Sequence, residues 1–242
     1  MREEYWESGM FSQPTTAELE ANSENTRRKA AKKGTVLEPV IIQGRNITKN
    51  WWGNAWCRNL EKYADYDNRL PRGKRYVRSG TVLDLKINKG KVLAKVQGSR
   101  RTPYKVEVHI SPLSEEKCQR IISRCEKKIQ NIEDLMLGNI PQDMQDIILG
   151  EDGLFPTPQE MSFSCSCPDW AIMCKHVAAV LYGIGARLDE KPLLFFELRG
   201  IDPDRFVSIA INNKVEEMLA NESKPSPRII DDADAWSLFG LS

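Results

Sequence analysis

Histidine is scarce in this chain: His109 and His176 are the only two among 242 residues. Long apolar runs are missing as well. None approaches the roughly 20 residues that a membrane span requires, so no membrane partner is expected. Net charge is nearly absent, with 35 basic residues against 34 acidic ones and a formal +1, so no global field draws in a polyanion. Met1 to Met10 is polar and acidic and lacks the apolar stretch of a signal peptide, which makes a cytoplasmic location the expectation. There is no G-x-S-x-G, P-loop or G-x-G-x-x-G, and no internal repeat. What remains is a chain with 40% hydrophobic residues, enough for a real core in one large or two small domains.

The six cysteines are few but unevenly placed. Cys165, Cys167 and Cys174 fall with His176 in C-S-C-P-D-W-A-I-M-C-K-H, a C-x-C-x6-C-x-H cluster. A reducing compartment keeps thiols free, and clustered Cys and His then favour a metal over a disulfide with a spare thiol. Iron–sulfur clusters usually take four thiolates, so Cys3His points to one structural zinc ion with every position filled by protein. Met161 to Cys167 reads as a strand, where residues two apart point the same way. Pro168 and Asp169 turn the chain back, and Val177 to Leu188 reads as an apolar helix. Cys174 and His176 converge if the first precedes that helix and the second lies in its first turn. The positive end of the helix dipole there favours thiolate and neutral imidazole, the forms that bind metal.

The stretch F-S-C-S-C-P-D-W-A-I-M-C-K-H-V-A-A-V-L from Phe163 resembles the SWIM zinc finger, with no departure at the four ligands. W-W-G-N-A-W-C from Trp51, Y-A-D-Y-D-N-R-L-P-R-G from Tyr63 and G-A-R-L-D-E-K-P from Gly185 resemble one bacterial group of SWIM proteins, so the likeness runs over about residues 35 to 200. It implies binding to DNA or to protein partners, and association with Swi/Snf-type helicase-like ATPases.

The charge is unevenly distributed. Between Arg69 and Lys105 the sole acid is Asp84, whereas acids dominate from Glu126 to Glu160. Arg72, Lys74, Arg75, Arg78, Lys86, Lys95, Arg100, Arg101 and Lys105 are the candidate phosphate contacts. Lys86, Lys95 and Lys105 are expected on one wet sheet face, with Arg72 to Arg78 and Arg100–Arg101 in loops beside it.

The reading along the chain gives an α+β protein: a three-stranded antiparallel meander, flanking helices and a small zinc-bound strand-turn-helix unit. Residues 1–35, with Arg27, Arg28, Lys29, Lys32 and Lys33, read as a flexible basic arm or a marginal helix. Residues 36–158 form the α+β domain, 159–200 the finger, 201–220 a C-terminal helix and 221–242 a tail. Val36 to Gln43 reads as a short strand. Asn50 to Tyr66 reads as a helix, with Trp52, Trp56, Leu60 and Tyr63 three and four apart, ended by Leu70-Pro71-Arg72-Gly73. Apolar and polar residues alternate over Thr81–Ile87, Lys91–Gln97 and Tyr104–Ile110, with a hairpin signal at Asn88-Lys89-Gly90. Further helices are expected over Glu115–Met136, Pro141–Leu149, Pro192–Leu198 and from Asp202-Pro203 to Leu219.

Other candidates read as packing. Cys118 and Cys125 lie on the apolar stripe of their helix, and Cys57 sits beside Trp56. Trp51, Trp52 and Trp56 could stack on bases but have core spacing. Trp170 could cover the metal or meet a partner; packing is the expectation. His109 alternates onto the wet face. Asp231, Asp232 and Asp234 before Trp236, Leu238, Phe239 and Leu241 read as a docking helix or as cover for the chain's own core.

With His176 on the metal and no carboxylate pair beside an open position, no enzyme activity and no small-molecule substrate are expected. The sequence points to a zinc-finger accessory that binds nucleic acid, DNA ahead of RNA. An adaptor that docks on the ATPase without touching nucleic acid is the alternative.

Overall fold

The computed structural model describes residues 13–65, 68–126, 140, 142–150 and 153–204, and beyond them residues 208, 211, 212, 215, 216, 218 and 219. The expected continuation of the Glu115 helix to Met136 and the tail with its Trp236–Phe239 pair lie outside these residues.

Helix α1 (Thr16–Lys32) starts at a reciprocal cap. Glu18 N–H donates to Thr15 Oγ1 at 3.2 Å, and Thr15 N–H donates to Glu18 Oε2 at 2.8 Å. Leu19 and Ser23 are buried, and Thr26 Oγ1 donates to Gln97 Oε1 at 2.9 Å. Residues 16–32 are therefore a docked helix, the helical alternative of that reading. Its basic residues made it look solvated; one buried leucine and a tertiary hydrogen bond hold it.

The segment 36–43 is not a strand. Val40 N–H donates to Val82 O and Leu85 N–H to Glu38 O, but Val36 and Ile41 stay exposed and Pro39 has no N–H to extend a ladder. Helix α2 (Trp51–Glu61) stops short of Tyr63. Helix α3 (Arg69–Arg78) runs through the Pro71-Arg72-Gly73 sequence expected to end a helix. Pro71 is third in α3, within the first turn, where a missing N–H costs no intrahelical bond. Arg72 to Arg78 are thus helical and not in a loop.

The hairpin signal holds. Strands β1 (Val82–Asn88) and β2 (Lys91–Val96) meet at Gly90, whose φ of 67° suits glycine. Strand β3 (Tyr104–Ile110) follows. Three more helical pieces are described before the finger: α4 (Glu115–Glu126), a 3-10 turn (Gln142–Met144) leading into α5 (Gln145–Leu149), and a second 3-10 turn (Pro158–Glu160). The finger's strand β4 (Met161–Cys165) then pairs antiparallel with β3, Val108 opposite Phe163. Among the described residues the sheet therefore has four strands, in order β1-β2-β3-β4, not three. Local alternation could show the meander; it could not show where a strand fifty residues later would pair.

Helix α6 (Lys175–Glu190) is the finger's helix and also the centre of the core. Every residue from His176 to Ala186 is buried, as expected of a helix apolar all round. It packs on the sheet, on α2 and most extensively on α3. Residues 36–158 and 159–200 thus share one core, and the chain through Pro203 is one compact unit. Helix α7 (Leu194–Leu198) closes it. Arg199, 2% exposed, donates from Nη1 to Ser111 O at 2.6 Å and from Nη2 to Glu160 Oε1 at 2.7 Å, fastening α7 to the sheet's end. From Asp204 a second unit begins, and its described residues are helical. No helix among the described residues is long and apolar enough to cross a membrane.

Trp52 and Trp56 are buried and donate from Nε1 to Leu188 O and Leu181 O; Trp51 is half-buried and donates to Ile140 O. Cys57, Cys118 and Cys125 are buried. His109 is exposed beside Glu107.

Candidate metal centre and the surface around it

The ligand atoms of Cys165, Cys167, Cys174 and His176 lie within 4.8 Å of one another. Cys165 ends β4; Cys167 lies beyond the strand, so a turn and not the strand's pleat brings it in. Cys174 is the N-cap of α6, with φ −68° and ψ 167°, and His176 is in the helix's first turn. That placement is what the two-residue spacing required.

His176 Nδ1 is 3.8 Å from Cys165 Sγ and 3.9 Å from Cys174 Sγ. Tetrahedral zinc with Zn–S of about 2.3 Å and Zn–N of about 2.1 Å sets ligand atoms roughly 3.6 Å apart, so the cluster fits one zinc ion. His176 Nε2 is buried without a hydrogen-bond partner, beside Gly98, where an added Cβ would sit 3.2 Å away. Nδ1, the nitrogen facing the sulfurs, is therefore the ligand. Tyr104 lies against the imidazole at 4.3 Å and Tyr76 meets it edge-on at 5.4 Å, which fixes the ring.

The electrostatics also call for a cation. The hydrogen bond shared with Cys165 pulls the Cys174 thiol down, with help from His176 and the Val177 N–H against the cost of burial. The same contact, then burial, pushes Cys165 up; burial and the Cys174 charge push Cys167 up. Burial holds His176 below its usual range, so it is neutral. Zinc binding takes all three cysteines as thiolates and the imidazole neutral.

The loop between the ligand pairs is held from outside. Asp65 accepts from Ile172 N–H at 2.9 Å and Met173 N–H at 3.3 Å. Asp169 accepts from Ala171 N–H at 3.3 Å and pairs with Arg69 at 3.1 Å. Trp170 is 81% exposed and Ile172 72% exposed, where burial against the core was expected of the tryptophan. Sequence reasoning missed Asp65, Arg69 and Asp169 as supports, although Asp65 and Arg69 lie in the segment Y-A-D-Y-D-N-R-L-P-R-G that carried the resemblance.

The candidate basic residues divide into three groups. Arg72 and Arg75 share a face of α3 and reach Gln13, at 3.2 and 3.4 Å. Arg100 stands over the Tyr104 ring at 5.7 Å, Arg101 follows it in an exposed loop, and exposed Lys105 is bonded through its backbone to Ser166. These five gather at the zinc end. Lys175, missed because it lay inside the metal motif, joins them. Its ammonium is held low by burial and by Arg72, and it stands 5.9 Å from the Tyr76 ring.

Lys74 and Arg78, on another face of α3, line a cleft of about 650 Å³ with Glu61 and Tyr182. Lys74 is paired there with Glu61 at 2.8 Å. Lys86, Lys95 and Lys105 do share the wet sheet face, but acids interrupt it: Asp84 is 3.6 Å from Lys95, and Glu107 takes Lys91 at 2.9 Å. The face is therefore mixed in charge.

Residues 150–183 match the family model of the SWIM zinc finger. The strand-turn-helix unit with its Cys3His cluster is thus a SWIM zinc finger. The chain is similar to "Uncharacterized protein Rv2102" of Mycobacterium tuberculosis (strain ATCC 25618 / H37Rv), 35% identical over 156 residues. That match covers 64% of this chain and 56% of the relative, so the chain spans just over half the relative's length. No solved structure matches the chain.

Proposed function

We propose that this protein is a non-catalytic, zinc-stabilised module that binds nucleic-acid backbone, DNA ahead of RNA, as a cytoplasmic accessory to a helicase-like ATPase. One observation carries the reading: Arg72, Arg75, Arg100, Lys105 and Lys175 converge on the zinc end, and no carboxylate among the described residues pairs with them. Phosphate contacts need such uncompensated cations on a rigid frame. The four ligands leave zinc no open position, which supports a structural and not a catalytic role. The link to the ATPase rests on the resemblance of the Trp51, Tyr63 and Gly185 segments to bacterial SWIM proteins. In the adaptor reading the same ATPase is bound and the strand is not.

Binding to a labelled duplex at several salt concentrations tests this. Replacing Arg72 and Arg75 by Ala should flatten the log–log slope by about 1.8, at roughly 0.9 per phosphate contact. Replacing Lys86 and Lys95 should change it little. A wild-type protein that binds no strand at low salt would sink the reading and leave the adaptor.

A further inference from the structure

A cleft lies between α2 and α3, on the α3 face that carries Lys74 and Arg78. At about 650 Å³ it falls within the roughly 300–1,000 Å³ of small-molecule sites. Its lining is charged and polar where such sites are usually apolar. Lys49, Arg58, Lys74 and Arg78 line it with a single carboxylate, Glu61.

That carboxylate is ionised and already engaged. Glu61 Oε1 accepts from Tyr182 OH and from Lys74 Nζ, both at 2.8 Å. Burial works against its charge, but these two bonds and the fields of Lys74 and Arg58 hold the carboxyl below its ordinary 4.5. Tyr182 is buried on α6, so this part of the wall is anchored in the core. Lys49 is fixed in the loop before α2, where its N–H donates to Asp189 Oδ2 at 2.7 Å. Among the described residues no hydrogen bond or ion pair engages the side chains of Lys49, Arg58 or Arg78. Three cations thus line a cleft whose one acid is taken by a fourth.

This arrangement decides the class of ligand. An apolar molecule would strip water from the cations and leave them unsolvated. A cationic molecule would be repelled. A carboxylate would neutralise only one charge of the three. A phosphate monoester carries about two charges at neutral pH and offers three acceptor oxygens, which arginine forks match. The second oxygen of Glu61 accepts no hydrogen bond among the described residues, so a ligand hydroxyl has an acceptor there.

We propose that the cleft binds a small phosphate monoester with a hydroxyl-bearing body, a sugar phosphate or a nucleotide. Lys49, Arg58 and Arg78 hold the phosphate, and Glu61 takes a hydroxyl of the body. The site stands whether or not the zinc end binds nucleic acid, since Arg72 and Arg75 are not part of its lining.

The test titrates the zinc-loaded full chain, labelled with nitrogen-15, with glucose 6-phosphate and with AMP in about 150 mM KCl, where diffuse charge is screened. The Nε–H signals of Arg58 and Arg78 should shift, and those of Arg72 and Arg75 should stay. Whichever monoester binds tighter identifies the body. Inorganic phosphate should bind more weakly at the same arginines, and glucose should not bind. The double variant R58A/R78A should weaken binding on the order of 100-fold, about tenfold for each charge-assisted contact. Both arginines are exposed, so its melting temperature without ligand should match wild type. K86A/K95A, which removes the same charge elsewhere, should bind as wild type does. Unmoved Arg58 and Arg78 signals with both monoesters would overturn the proposal. Inorganic phosphate binding as tightly as the monoesters would overturn the role of the body. Signals that move with a DNA duplex but with neither monoester would make the cleft part of the nucleic-acid surface instead.

Discussion

Gly73 lies directly against Ala178. A Cβ added at Gly73 would come within 2.5 Å of the Ala178 Cβ and 3.0 Å of its carbonyl carbon, which is backbone and cannot swing aside. This contact sets how closely α3 approaches α6. It therefore also sets where Arg72 and Arg75 stand relative to the zinc ligands at the start of α6. Gly53 and Gly185 act likewise for α2: an added Cβ would meet Asp189 at 2.6 Å in the first case and Cys57 Sγ at 2.9 Å in the second.

The Gly73 contact yields a prediction whose sign is informative. In an open helix, Gly→Ala stabilises by about 0.5–1 kcal/mol through propensity. Here G73A should instead destabilise by about 1–3 kcal/mol, the usual cost of overpacking. Urea unfolding of the zinc-loaded protein measures it. A neutral or stabilising result would mean the helices can separate freely.

Zinc should be present at about one equivalent per chain, with Zn–S near 2.3 Å by X-ray absorption. C174S should lose the metal and lower the melting temperature of the whole first unit, since α6 carries the core as well as two ligands. Chelation of the wild type should reproduce the loss. A metal-free protein with unchanged melting would contradict the structure.

Asp65 offers a local test. D65A removes the acceptor of the Ile172 and Met173 N–H groups. Amide exchange at those two positions should accelerate on the order of tenfold, the equivalent of a hydrogen bond worth about 1.4 kcal/mol. Zinc stoichiometry should hold, because no ligand has changed.

The Glu160–Arg199 pair predicts a pH dependence. Burial works against the Glu160 charge, but the Thr157 N–H and Arg199 prevail and hold its carboxyl below the ordinary 4.5. A depressed carboxyl adds stability that is fully present above its unfolded value and fades as pH falls through the folded one. E160Q should cost about 1–3 kcal/mol at pH 7, because Arg199 stays buried without its anion. The gap to wild type should narrow below about pH 4.5, where wild type loses the same charge. Acid loss of zinc affects both proteins and cancels in the difference. A gap that stays constant down to pH 3 would show that the charge contributes nothing.

Much of the metal centre could be read directly from the chain. Cys174 and His176, two apart, converge only at a helix start, and the structure puts Cys174 at the N-cap. The strand alternation in β1 to β3 and the Gly90 turn were equally local, since period-two burial leaves its mark on adjacent residues. Trp52, Trp56, Cys118 and Cys125 sat on apolar stripes, Cys57 beside one, and all five proved buried. Trp170 misled, because an apolar residue in a short loop carries no period to say which way it faces.

The sequence by itself determined the zinc ligands, the hairpin and the apolar helix that follows the ligands, because each depends on spacings of a few residues. Only the tertiary structure decided that β4 joins the sheet, that α6 is the centre of the core, and which cations act together. Lys74 and Lys95 looked the same as Arg72 and Arg100 in a basic stretch. Glu61 and Asp84 claim the first two, while Arg72 and Arg100 remain at the zinc end. Charge along a chain is additive, but charge on a surface depends on which residues the helix crossing and strand pairing bring together, and those are set by packing between distant segments.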